Sequence, residues 1–207
     1  MRTHFAAALA AFSLFATLGA AARADVLYDN AGPATHTTDA LSITGFEMSD
    51  SFVLAADSLL TGIDFDAHNF VGEVATSLSW AILDNSPQFA GATLFSGSAA
   101  LSSVFIGASA VSSAWDLNAY SFSLPSLALN AGTYWLKLGV TDSVPTYWDQ
   151  SGGPSLAWHS AIGARPSNTF QVIGTAAVPE PAAWGLMILG FGATGLVIRG
   201  RRRALAA

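Results

Sequence analysis

Asp64, Asp66 and His68 alternate along the segment Ile63-Asp-Phe-Asp-Ala-His-Asn-Phe70, with Asn69 within the same run. On an extended chain, residues two apart share a face, and hard oxygen ligands so arranged can hold Ca²⁺ at a sheet edge. A calcium site through Asp64, Asp66 and Asn69 is one reading; a solvated strand face is the other. The segment has no glycine-pivoted twelve-residue loop, so it is no EF-hand. A second group is aromatic. Trp135, Tyr147, Trp148 and Trp158 can offer apolar platforms to the C–H faces of sugar rings, with Asp149, Gln150 and His159 as hydroxyl partners at the rim. Large rings also dominate cores, and Trp80 and Tyr134 are expected there.

Catalysis has less to draw on. His36, His68 and His159 can each be joined on paper to serines and aspartates, but no G-x-S-x-G elbow raises a serine into a strained, exposed position. Glycosidases need two carboxyl groups facing across a cleft. Here Glu47 and Glu73 are the only glutamates before the C-terminal segment, and the aspartates fall mostly in turns or on strand faces. With no cysteine, thiolate catalysis, disulfide exchange and Cys-ligated metals are excluded. A non-enzyme is expected, with no cofactor beyond the calcium considered above.

Strands must position these side chains. Leu78, Trp80 and Ile82 alternate with small or polar neighbours, as do Tyr120, Phe122 and Leu124, while Tyr134, Leu136, Leu138 and Val140 alternate with Trp135, Lys137 and Gly139, which puts Trp135 on the opposite face. Period-two alternation gives each strand one apolar and one wet face, as two packed antiparallel sheets require. Turn signals at 84–87, 130–132, 151–154 and 165–166 separate the runs. The expected strands are 41–46, 51–55, 59–66, 75–83, 92–96, 99–106, 119–124, 133–141, 145–148, 155–159 and 169–173. This spacing leaves no room for crossover helices. The expected fold is all-β, an antiparallel β-sandwich or jelly roll over residues 25–174, with 175–178 as a linker.

Charge and hydropathy set the two ends apart. Of the 207 residues 52% are hydrophobic and only 11% charged, and the apolar excess concentrates at the termini. Between Asp25 and Val178 thirteen acidic residues face only Lys137 and Arg165, a net charge near −11. Such a surface repels phosphate backbones, so nucleic-acid binding is excluded. At the N-terminus, one arginine precedes the uncharged run Phe5 to Gly19, and Ala22-Arg-Ala24 supplies the small residues that signal peptidase accepts. Residues 1–24 therefore read as a signal peptide forming an N-terminal signal helix, cleaved to leave Asp25 first.

The other end has three parts: Pro179-Glu180-Pro181, the uncharged 17-residue stretch Ala182 to Ile198, and Arg199, Arg201, Arg202 and Arg203. The stretch is at the short end for a transmembrane helix. The arginines favour the cytoplasmic side, and Trp184 suits the opposite interface. The two prolines keep the motif extended. This order, with the run Met187-Ile-Leu-Gly-Phe-Gly-Ala-Thr-Gly195, resembles the PEP-CTERM sorting signal, here spanning 179–207. Gly190, Gly192 and Gly195 also match G-x-G-x-x-G, but within an apolar span they read as helix-packing glycines rather than a nucleotide loop. The runs Ser51-Phe-Val-Leu54, Thr61-Gly-Ile-Asp-Phe65, Ser79-Trp-Ala-Ile82, Ala131-Gly-Thr-Tyr-Trp-Leu136 and Tyr147-Trp-Asp149 resemble lectin-like domains of other PEP-CTERM proteins.

The resemblance implies export across the inner membrane of a Gram-negative cell, transient anchoring there, and recognition by an exosortase that cuts near the PEP motif. It also implies release to, or attachment at, the cell surface, alongside exopolysaccharide. The expected function is a non-enzymatic surface or matrix protein. A carbohydrate-binding module is the alternative, and a secreted glycan hydrolase or lyase the second alternative.

Overall fold

The computed structural model describes residues 24–31, 39–85, 91–110, 112–177, 185 and 188–192. Thirteen strands lie among them: β1 Asp25–Asn30, β2 Ala40–Ser42, β3 Met48–Leu54, β4 Ser58–Phe70, β5 Ser77–Asp84, β6 Thr93–Ala100, β7 Ser102–Ala108, β8 Trp115–Leu129, β9 Gly132–Val140, β10 Tyr147–Asp149, β11 Ala157–His159, β12 Gly163–Arg165 and β13 Phe170–Ala176. All strand ladders are antiparallel and form two sheets. In the first, the 13-residue β4 is the hub. On one side it pairs with β13 along Ser58–Phe65 and with β10 at Ala67 and His68; on the other it pairs with β8, which carries β7 at the margin. β1 flanks β13, and β2 flanks β10. The second sheet runs β12-β11-β3-β9-β5-β6.

Apolar residues at alternate positions drive the sheets together. Ile63, Phe65 and Ala67 of β4, Tyr120 and Phe122 of β8, and Phe170 and Val172 of β13 bury against Phe52 and Leu54 of β3, Leu78, Trp80 and Ile82 of β5, and Leu136 and Leu138 of β9. Phe52 and Phe170, one from each sheet, meet at 6.5 Å between ring centroids with their planes 81° apart. Edge-to-face contacts of this kind add to the gain from burial. The domain that these strands build is therefore all-β, with two antiparallel sheets packed face to face around one core.

Bulges keep the alternation in phase. Between Leu60 and Gly62 the β4/β8 register shifts, so Leu60 and Ile63, three residues apart, both face inward and are fully buried. A bulge inserts one residue without sending the rest of the strand to the wrong face. Pro125 falls at the same irregularity on β8, where it withholds no regular ladder hydrogen bond.

Several expected boundaries are corrected. β1 and β12 were not anticipated, because Asp25–Asn30 and Gly163–Arg165 are too polar or too short to show a period. The expected strand 119–124 is the middle of the 15-residue β8. The expected linker begins too early: Thr175 and Ala176 belong to β13, paired with Leu59 and Ser58. The signal segment 1–23 lies outside the described residues. Of the apolar stretch 182–198, the described residues Gly185 and 188–192 are helical. No helix among the described residues is long and apolar enough to cross a membrane.

Candidate functional site

The densest gathering of chemistry-bearing side chains is on the outer face of the first sheet, where β4 runs between β8 and β10. Ile63, Phe65 and Ala67 point into the core, so Asp64, Asp66, His68 and Phe70 point outward. Cross-strand partners share a face, which places Trp115 beside Phe70, and Leu117 and Tyr147 on either side of His68. Trp115 and Tyr147 come from strands on opposite sides of β4, yet their rings stack at 4.6 Å and 17°. The pair closes over β4 next to His68, whose ring is 6.2 Å from Trp115. Phe70 meets the edge of Trp115 at 6.4 Å.

Beneath this aromatic cover the polar residues are dry. His68 and Asp149 have no exposed side-chain surface, and the His68 Nε2 lies 3.0 Å from Asp149 Oδ1. Asp66 is also fully buried, and neither of its carboxyl oxygens has a hydrogen-bond partner. Burial pushes its carboxyl up to about 7, with the charges of Asp149 and Asp64 adding to the effect. Asp64, partly exposed, is raised by burial alone. An unpaired carboxylate in a dry setting is costly, and protonation relieves that cost.

Asn69 is on the other face. Its side-chain amide donates to Thr146 Oγ1 at 3.0 Å and to the Pro145 carbonyl at 3.2 Å. Its Oδ1 accepts from Tyr120 Oη at 2.6 Å and from Asn118 Nδ2 at 3.2 Å. The calcium expectation is therefore corrected: strand alternation puts Asn69 across the sheet from Asp64 and Asp66. Among the described residues no three His, Asp or Glu side chains come together closely enough to hold a metal ion.

The expected sugar platform also breaks up. Trp148 is a core residue, its indole N–H donating to the Thr169 carbonyl at 2.8 Å and its ring packed against Phe65 and Phe170. Trp135 does face away from the main core, but it is buried with Ala81 and Leu83 on the outside of the second sheet, donating to Asn85 Oδ1 at 3.0 Å. Asp149, Gln150 and His159, the expected rim partners, are buried. Trp158 is 36% exposed, but it stands on β11 in the second sheet, whereas the half-buried Tyr147 stands on the outer face of the first. Opposite outer faces cannot line one groove.

Trp115 is the ring that sequence reading missed. It precedes the run 119–124, and its own alternation with Leu117 and Ala119 was the signal available. A second buried polar group lies between the sheets. Asp50 Oδ2 accepts from the Asn168 amide at 2.6 Å, while Oδ1 has no partner. Burial pushes the Asp50 carboxyl up to about 7 against the opposing pull of hydrogen bonds from Ser155 and Asn168.

Ala22 and, in the tail, Pro179, Glu180, Pro181, Trp184, Gly195, Arg199, Arg201, Arg202 and Arg203 lie outside the described residues. Ala24 is exposed coil and Asp25 opens β1; Gly190 and Gly192 are exposed and helical. Comparison with curated proteins finds no match to this chain. A family model does match the segment directly after β13: residues 177–203 are a PEP-CTERM protein-sorting motif, the mark of an exported protein sorted by exosortase.

Proposed function

We propose that the chain is made as a membrane-anchored precursor, cut by exosortase, and delivered to the cell surface or matrix as a non-enzymatic β-domain associated with exopolysaccharide. The sorting motif at 177–203 carries this reading. Its position supports it: β13 ends at Ala176 and the motif starts at Ala177, so all thirteen described strands precede the tag. Ile188, Leu189 and Phe191 are largely exposed on their helical segment, which suits side chains meant for lipid. Residues 1–24 act as signal peptide, a reading that fits Asp25 being the first strand residue among those described. The non-enzymatic reading draws on burial: the His68–Asp149 pair and Asp66 have no solvent-facing surface through which to meet a substrate.

The experiment is fractionation and immunoblotting of the tagged protein in its own host. Pro179→Ala/Pro181→Ala is expected to stay uncleaved in the inner membrane, because the extended stretch becomes free to continue the helix. Wild-type processing of that variant overturns exosortase recognition of the motif.

A second reading, carbohydrate binding, is favoured by the Trp115–Tyr147 stack with Phe70 at its edge. A glycan array on the exported protein tests it: binding lost in Trp115→Ala supports it, and no binding by wild type removes it.

A further inference from the structure

The two sheets end on the same side in adjacent strands. Among the described residues β6 pairs with β5 alone and closes the second sheet; one residue, Leu101, leads into β7, which pairs with β8 alone at the margin of the first. Such margins present unpaired N–H and C=O groups, and proteins that stay monomeric blunt them with charges, proline or cover. β7, Ser-Ser-Val-Phe-Ile-Gly-Ala, has neither charge nor proline. Its bulge lies between Phe105 and Gly107, leaving Ser102–Phe105 regularly paired.

The side chains are as open as the backbone. Val104 is 68% exposed and Phe105 61% exposed. Phe105 pairs with Asn118, whose amide donates to Asn69 beside the core ring of Tyr120, so Phe105 is on the core-facing side of the sheet. Although it is on the core-facing side it remains exposed, so among the described residues the second sheet leaves it uncovered.

Charge indicates what covers it. The region 25–178 carries a net charge near −11, so two copies repel each other over most of their surface. From Asn85 to Trp115 there is no charged residue and no histidine for 31 positions, the stretch that builds β6 and β7. Of the other margins, β1 carries Asp25 and Asp29 and β12 carries Arg165; β2 is uncharged but only three residues long, and β6, also uncharged, exposes Leu94 at 42%, less than Val104 or Phe105 of β7. A partner chosen by charge would have nothing to read on β7, whereas an identical uncharged strand meets no repulsion. We propose that β7 is a homodimer interface, pairing antiparallel with β7 of a second copy about a two-fold axis and continuing the first sheet across both molecules. The two Phe105 rings then complete the core-facing side that one copy leaves open. An isologous contact of this kind closes on itself.

The absence of native cysteine makes the test direct. Single cysteines at Ser103, Val104 and Phe105, introduced into the full chain and expressed in its own host, are oxidised and run on non-reducing gels. Val53→Cys, 52% exposed on β3, is the control. A dimer-mass band from at least one β7 position and none from Val53 is the expected result. Adding a lysine at Val104 or Phe105, whichever is not the cysteine, is expected to abolish that band while leaving protease resistance unchanged. No band from any β7 position, an equal band from Val53, or a band that survives the lysine overturns the proposal.

Discussion

Two buried aspartates make this fold sensitive to pH. The carboxyls of Asp50 and Asp66 are each raised by burial from the ordinary value to about 7. Between pH 4 and 7 the folded state therefore holds protons that the unfolded chain has released, and this contribution to stability is lost as pH rises through 7. Each group is expected to lower the unfolding free energy by up to about 1.4 kcal/mol per pH unit across that window, so urea melts should show a fall from pH 5 to pH 7 and little further change by pH 8. Asp66→Asn is expected to flatten the slope and raise stability at pH 8, because a neutral amide costs less to bury than a carboxylate. An unchanged slope in that variant would mean that Asp66 is solvated. On the acid side Asp142 acts in the opposite sense. Burial would raise its carboxyl, but hydrogen bonds from Thr76, Val144 and Ser77 outweigh it and hold the group below its usual value. Its contribution is present above the ordinary carboxylate range and lost below it.

At the scale of the strand, Trp80 and Gly97 work as a pair across β5 and β6. Trp80 is buried in the core, and a Cβ on Gly97 would be 3.0 Å from its ring. The missing side chain on β6 is what lets the indole lie flat beneath that margin. Trp80→Ala is expected to cost about 3–5 kcal/mol through lost burial and the cavity left. Gly97→Val is expected to cost about 1–3 kcal/mol through overpacking. Denaturant midpoints at constant m-value check both; less than about 1 kcal/mol for Trp80→Ala would mean the ring is not core. The inward facing of Trp80 was legible from its alternation with Ser79 and Ala81. The facing of Trp135 was also read correctly, as opposite to Leu136, but facing did not decide burial. Ala81 and Leu83 of the neighbouring strand make a dry patch on the outside of the sheet, and no period within one strand reports that.

For the whole molecule, the order of parts matters more than any cleft. Among the described residues the first strand opens at Asp25 and the last ends at Ala176, and the sorting motif begins at Ala177. A mature N-terminus at Asp25 is expected, checked by mass spectrometry of the exported protein; a form retaining Phe5 to Gly19 contradicts it. Deleting 182–207 is expected to yield a soluble periplasmic domain, since β13 and its partner strands are untouched by the cut. Retention of that truncation in the membrane fraction would place an anchor elsewhere.

The parts of this protein legible from sequence are those whose physics is local. An apolar run followed by arginines, two prolines bracketing a glutamate, and alternation within a strand all express their meaning within a few tens of residues. The sorting motif and the all-β class were read on that basis. What only the tertiary structure decided depends on partners distant in the chain. Asn69 left the calcium set because β4 alternates against a core supplied by β8 and β10. Trp148 became core because sheet order buries it beside β4, and Trp115 joined Tyr147 because residues 32 apart in sequence flank the same stretch of β4. Burial is a property of what packs on top of a residue, and that is set by sheet order, which no short-range pattern encodes.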